Sequence, residues 1–123
     1  MDSPLPLLLL NNMEPNRVTI TKQAALKELE EFRSRIDAVD RSILLLLNER
    51  TKVVEEIGRV KQKAQLPIYE PRREDQVFDN VIRHNTGPLT AQAVRRIFER
   101  IIDEMRGVQR EQMEKTAESD SKC

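Results

Sequence analysis

Between Thr21 and Lys63 the chain has no proline, a single glycine, and an apolar residue at nearly every third or fourth position: Leu29, Phe32, Ile36, Val39, Ile43, Leu46, Val53, Ile57 and Val60. That spacing predicts one long helix. At 1.5 Å per residue such a helix is about 60 Å long. A compact globule of 123 residues has a radius of gyration of roughly 14 Å, hence a diameter near 35 Å. The helix therefore outruns any globule this chain can build alone, and about half of its apolar seam would be left wet. The feature implies a partner chain, most simply a second copy in a symmetric homodimer.

The remainder of the chain is helical by the same criteria. "QLPIYEP" interrupts the pattern with two prolines. A short second helix follows, with Pro71 suited to its first position, Glu74 and Asp75 favouring its positive end, and Asn85 to Gly87 closing it. Its inward face is expected to be Val77, Phe78, Val81 and Ile82. Thr90 is placed to cap a third helix running to about Lys115, with Val94, Ile97, Phe98, Ile101, Ile102, Met105 and Val108 facing inward. Aromatic residues make up 3% of the chain, and there are three glycines and no tryptophan. A sheet resting on aromatic cross-strand pairs and glycine turns is thus disfavoured. The predicted class is all-α, with one very long, one short and one medium helix per chain.

Residues 1–20 hold three of the six prolines and no sustained period, so they read as a disordered tail. The apolar run Leu7 to Leu10 is too short for a signal peptide and lacks a basic segment before it. A leader, or an upstream start with Met13 as initiator, is the expectation. Residues 21–115 form the expected domain, and the polar 116–123 segment a flexible tail. The one cysteine, Cys123, is the last residue. No intrachain disulfide or paired-cysteine metal site is possible, and a reducing cytoplasm is the expected location. Basic and acidic residues balance at 21 each, so no net field draws the protein to nucleic acid or an anionic membrane. Any anion it binds must be held by a local cluster.

Such a cluster is suggested by polar residues on apolar faces. Arg50 occupies a seam position where the repeat calls for an aliphatic side chain. A buried, unpaired guanidinium costs several kcal/mol, so it must meet an anion. That anion is either a glutamate in a structural ion pair, with Arg50 setting helix register, or a ligand. Lys61 follows eleven residues later, pointing within about 20° of Arg50 and roughly 16 Å along the axis. The two can lean toward one small anion. Arg33, roughly 25 Å from Arg50, cannot reach that ligand from the same helix, but the partner's copy could in an antiparallel dimer. Otherwise it is a solvated residue beside "ELEEF". Glu74 looks inward with Phe78 and Val81, with Glu70 and Arg73 beside it, either as site residues or as a helix cap and dipole partners. Gln109 follows Phe98, Ile102 and Met105 on the third helix, an amide on an apolar face. His84 reads as a helix C-terminal residue stabilised by the dipole. There is no nucleophile with a base, no metal cluster and no cofactor loop. The site suits a small dianion and a reaction without covalent help from the protein.

The stretches "LEEFRSRIDAVDRSILLLLNERTKVVEEIGRVK", "PIYEPRRED" and "RIFERIIDEMRGVQ" together resemble the chorismate mutases of the all-helical AroQ class, over about residues 26–114. The resemblance implies an intertwined homodimer that rearranges chorismate to prephenate, toward phenylalanine and tyrosine, without cofactor or metal. It implies that Arg33, given to the other subunit's site, and Arg50 bind substrate carboxylates, and that Lys61 binds a carboxylate and the ether oxygen. Glu70 would lie near the ring hydroxyl, Arg73 and Glu74 would match the pair opening the second helix, with Glu74 accepting from the hydroxyl, and Gln109 would donate to the ether oxygen. Met105 departs from the family, standing where certain members place a serine near a carboxylate. The alternatives are an isochorismate-pyruvate lyase, which shares the fold, and a non-catalytic helical dimerisation module.

Overall fold

The computed structural model describes residues 19–121, with side chains to residue 119. The expected N-terminal tail up to residue 18, and Cys123, lie outside the described residues. Three helices make up the described chain: α1 (Lys22–Ala64), α2 (Pro71–His84) and α3 (Ala91–Ser121). The chain divides into two units, 1–43 and 44–123, with α1 contributing to both. None of the three helices is long and apolar enough to cross a membrane.

In the first unit Thr21 starts α1. Its Oγ1 accepts from the Ala24 N–H at 3.1 Å, satisfying a donor that a helix start leaves unpaired, and its carbonyl accepts the first intrahelical bond, from the Ala25 N–H at 2.9 Å. Leu26, Leu29, Phe32, Ile36, Val39 and Ile43 are exposed.

In the second unit α1 ends at a left-handed residue, Gln65, with φ +57°. The Leu66 N–H bonds the Lys61 carbonyl at 2.8 Å and the Gln65 N–H bonds the Gln62 carbonyl at 3.2 Å. That pair of reversed bonds is the Schellman arrangement, and Pro67 just beyond it prevents the helix from continuing. Pro71 opens α2 as expected, and α2 closes at Asn85. Asn85 then stitches the turn: its Oδ1 accepts from the Gly87 N–H at 2.9 Å and its Nδ2 donates to the Leu89 carbonyl at 2.7 Å. Gly87 has φ +85°, where an L side chain is strained. Thr90 caps α3 through the Ala93 N–H at 3.1 Å. α3 runs on past Lys115 to Ser121, beyond the end read from the apolar period. With no proline or glycine after Gly107 and good helix formers in "REQMEKTAES", propensity carries the helix where the period has stopped.

The core of this unit is small: Val54 from α1, Phe78 from α2, and Val94, Ile102 and Met105 from α3, together with the polar Lys61 and Gln109. Of the α3 residues expected inside, Ile97 is exposed. The larger correction concerns α1. Its seam residues Leu46, Val53, Ile57 and Val60 are 43–62% exposed, whereas the buried positions are Val54, Gly58 and Lys61. The apolar surface of α1 is wider than α2 and α3 of one chain can cover, so the chain buries the neighbouring stripe. Gly58 faces α3: a Cβ there would stand 2.6 Å from the Gln112 Oε1, the movable end of a flexible side chain, and 3.6 Å from the Gln109 Cγ, an ordinary contact.

Candidate functional site

One cavity of about 250 Å³ opens between the three helices of the second unit. Its apolar wall includes Val53, Val54 and Ile57 of α1, Val77 of α2, and Ile102 and Met105 of α3. Its polar groups are Arg50, Lys61, Glu70, Arg73, Glu74, Arg106 and Gln109. Six of the seven residues expected in the site are thus brought together. Arg33 is exposed on the part of α1 that belongs to the first unit, and it is not among the lining residues.

Lys61 is the centre of the polar wall and only 6% exposed. Its Nζ donates to the Ile68 carbonyl at 3.0 Å, pairs with the Glu70 carboxylate at 3.1 Å and donates to the Gln109 Oε1 at 3.4 Å. An ammonium has three donors and no acceptor, so all three are engaged within the chain. The bond to Ile68 ties the 65–70 loop back onto α1. Glu70, although it stands at the N-cap of α2, makes no side-chain capping bond. Its carboxylate serves Lys61 instead, which disfavours the capping alternative.

Gln109 is 7% exposed, so the expectation that it lies on the apolar face rather than fraying into solvent holds. Lys61 can only donate, so the amide must present its oxygen to Lys61, which leaves the amide N–H groups free to donate. The structure therefore orients this side chain as a neutral donor next to a cation.

Arg50 is half-buried, and its guanidinium pKa is pushed down, first by burial and then by the positive charge of Arg73. An arginine begins so high that it remains charged. The depression nonetheless shows a cation placed where water is scarce and another cation is near, an environment that an anion would relieve. Arg73 is itself exposed and reaches the Gln76 Oε1 at 3.5 Å.

One residue expected on the inward face of α3 also lines the cavity, and one lining residue was missed. Met105 is buried, with the Thr51 Oγ1 3.6 Å from its sulfur. That hydroxyl donates to the Leu47 carbonyl at 2.8 Å, so the thioether presents an apolar surface to the cavity. Arg106 was missed altogether. It lines the cavity and pairs through Nε with the Glu74 Oε2 at 3.3 Å, and its guanidinium lies 5.5 Å from the centre of the Tyr69 ring. The signal was present: Ile102, Met105, Arg106 and Gln109 are i, i+3, i+4 and i+7, one helix face. His84 stays outside the cavity, its Nδ1 2.8 Å from the Asn80 carbonyl, consistent with a helix-end role.

The charged lining, four cations against two carboxylates, leaves a surplus of two positive charges over an apolar floor. It suits a small dianion with an apolar ring. Comparison with known proteins agrees with that chemistry. The profile of the chorismate mutase type II family matches residues 32–110. A bifunctional chorismate mutase/prephenate dehydratase of Aquifex aeolicus is 42% identical over 81 residues, 63% of this chain; the chain spans only 22% of that relative's length. Among solved structures, chorismate mutase form II of Thermus thermophilus superposes with a TM-score of 0.66 at 32% identity, covering 68% of this chain and 94% of that one. The chorismate mutase of Helicobacter pylori, solved in complex with prephenate, superposes with a TM-score of 0.67 at 25% identity, covering 72% of this chain and 96% of that one.

Proposed function

Because the chain belongs to the chorismate mutase type II family, we propose that it is an isomerase converting chorismate to prephenate, in aromatic amino acid biosynthesis. The observation that carries the reading is the buried Lys61–Gln109 pair beside half-buried Arg50, within one cavity whose charge complements a dianion.

In this rearrangement the ether C–O bond breaks as a new C–C bond forms, through a compact chair in which negative charge builds on the ether oxygen. No proton is transferred and no covalent intermediate is needed. The protein must select the chair and place positive donors at the oxygen. A million-fold acceleration corresponds to about 8 kcal/mol, within the range of positioning plus charge-directed hydrogen bonds in a dry cavity. Lys61 and Gln109 are the donors for the ether oxygen. Because the three donors of Lys61 are engaged within the chain, bound substrate must share or take over one of them. Arg50 clamps a substrate carboxylate with Arg73 close behind it. Glu74 accepts from the ring hydroxyl, with Glu70 near the same group.

The second carboxylate needs a further cation, and Arg33 of a second copy supplies it in this reading. The exposed stripe of α1 and the small core both favour an intertwined homodimer, since exposed apolar surface of this extent marks an interaction face. A cytoplasmic location accompanies the same reading.

The direct test is the loss of chorismate absorbance with purified protein, alongside Arg50→Ala and Lys61→Ala, each checked for helicity by circular dichroism. The expected outcome is prephenate formation by the parent and a loss of at least about 100-fold in both folded variants, the scale of removing one charge-stabilising donor. Pyruvate release from isochorismate, with no turnover of chorismate, would favour the lyase. A folded dimer inactive on both substrates would indicate a binding module.

A further inference from the structure

Glu74 is paired with Arg106, a residue that the proposed mechanism has not used. Glu74 comes from the first turn of α2 and Arg106 from the middle of α3, and both line the cavity. Their side chains are 19% and 27% exposed, far less than the surface pairs Arg95–Glu99 and Arg100–Glu104 along α3. The Arg106 Nε is itself buried and makes no aligned hydrogen bond within the protein, although it stands 3.3 Å from the Glu74 Oε2. The pair is held by charge. Arg106 is fixed in turn: Tyr69, from the loop that Lys61 ties down, lies under its guanidinium at 5.5 Å, and Asp103 is 3.9 Å from its Nη2.

A carboxylate in a cavity built for a dianion is a hazard. Unrestrained, Glu74 would be drawn to Arg50 or Arg73 and occupy the guanidinium that the substrate carboxylate needs. We propose that Arg106 is a positioning residue that anchors the Oε2 of Glu74, keeping its other oxygen turned to the substrate hydroxyl and its charge off Arg50 and Arg73. The inference rests on the mutase reading. Arg106 acts through Glu74 and touches no reacting atom.

The test is a double-mutant cycle with Arg106→Gln, Glu74→Gln and the combination, read as KM and kcat for chorismate, with Arg106→Lys as the conservative variant. Arg106→Gln should raise KM about tenfold, the scale of one charge-assisted hydrogen bond, with kcat much less affected. In the Glu74→Gln background the same change should alter KM by less than about twofold, the mark of residues acting as one unit. Arg106→Lys, which keeps the charge, should recover most of the loss. Equal effects of Arg106→Gln in both backgrounds would overturn the proposal, because Arg106 would then act on the substrate directly. A lowered melting temperature with unchanged KM would overturn it in favour of a purely structural pair. If Arg106→Gln does not fold, the Arg106→Lys and Glu74→Gln variants still read KM: unchanged KM in Glu74→Gln removes the residue through which Arg106 is said to act. An inactive parent would sink the mutase reading and this inference with it, whereas an active parent with additive effects sinks this inference alone.

Discussion

Gln109 shows how much depends on one uncharged donor. Its oxygen is engaged by Lys61, so its N–H groups are what the cavity receives. In Gln109→Glu the neighbouring ammonium favours the ionised carboxylate, which accepts hydrogen bonds and donates none. Activity of that variant should be about 100-fold below the parent at pH 8, and should rise as the pH falls and the carboxyl regains a proton. A rate–pH profile of the two proteins checks this. A variant as active as the parent at pH 8 would remove the amide from the mechanism. At this scale the sequence was informative wherever a polar residue broke an apolar stripe: Arg50, Lys61 and Gln109 could be picked out by position alone. Arg106 carries the same signal, lying i+4 from Ile102 on the face of Gln109, and was passed over. The partner of Glu74 could not be known, since the two residues are 32 positions apart and only the packing of α2 on α3 brings them together.

Among the elements, the end of α1 decides where Lys61 sits. The helix terminates through a left-handed Gln65, φ +57°, and the reversed bond from Leu66 falls on the carbonyl of Lys61 itself. A residue with a Cβ is strained in this conformation by about 1–2 kcal/mol, and glycine is not. Gln65→Gly should therefore raise the stability by up to about 1 kcal/mol, part of the relief being offset by the freedom glycine gains in the unfolded chain. Gln65→Val should lower it by about 1–2 kcal/mol, because a β-branched side chain fits that region worst. Urea unfolding of the three proteins measures both changes, and a Val variant as stable as the parent would refute the left-handed assignment. Three helix ends were legible beforehand, since Pro71, Asn85 and Thr90 are local signals acting on their own helix; the cap by Thr21 was not read, although it is equally local. The end of α3 was not, because past Lys115 the apolar period stops while helix propensity does not.

For the whole molecule the open feature is the exposed seam of α1. If Arg33 serves the site of a second copy, two inactive variants should repair each other. In a mixed dimer of Arg33→Ala and Arg50→Ala, one site carries both substitutions and the other carries neither. Unfolding and refolding an equimolar mixture should restore about a quarter of the parent activity, since half of the dimers are mixed and half of their sites intact. No recovery, with mixed dimers present by mass spectrometry, would place Arg33 outside the site of its partner.

The sequence alone determined the helices, their caps, the all-α class and most of the cluster, because each rests on periodicity or on interactions within a few residues. It could also indicate that α1 has more apolar surface than one chain can cover. Which stripe of α1 faces inward was decided only by tertiary structure. Val54, Gly58 and Lys61 are buried and the more obvious seam is exposed, because α2 and α3 of one chain cover only part of the apolar surface of α1. Tertiary structure likewise decided that Lys61 shares its protons among Ile68, Glu70 and Gln109, and that Arg106 meets Glu74. Those contacts join residues distant along the chain, and no local pattern encodes the register in which the helices meet.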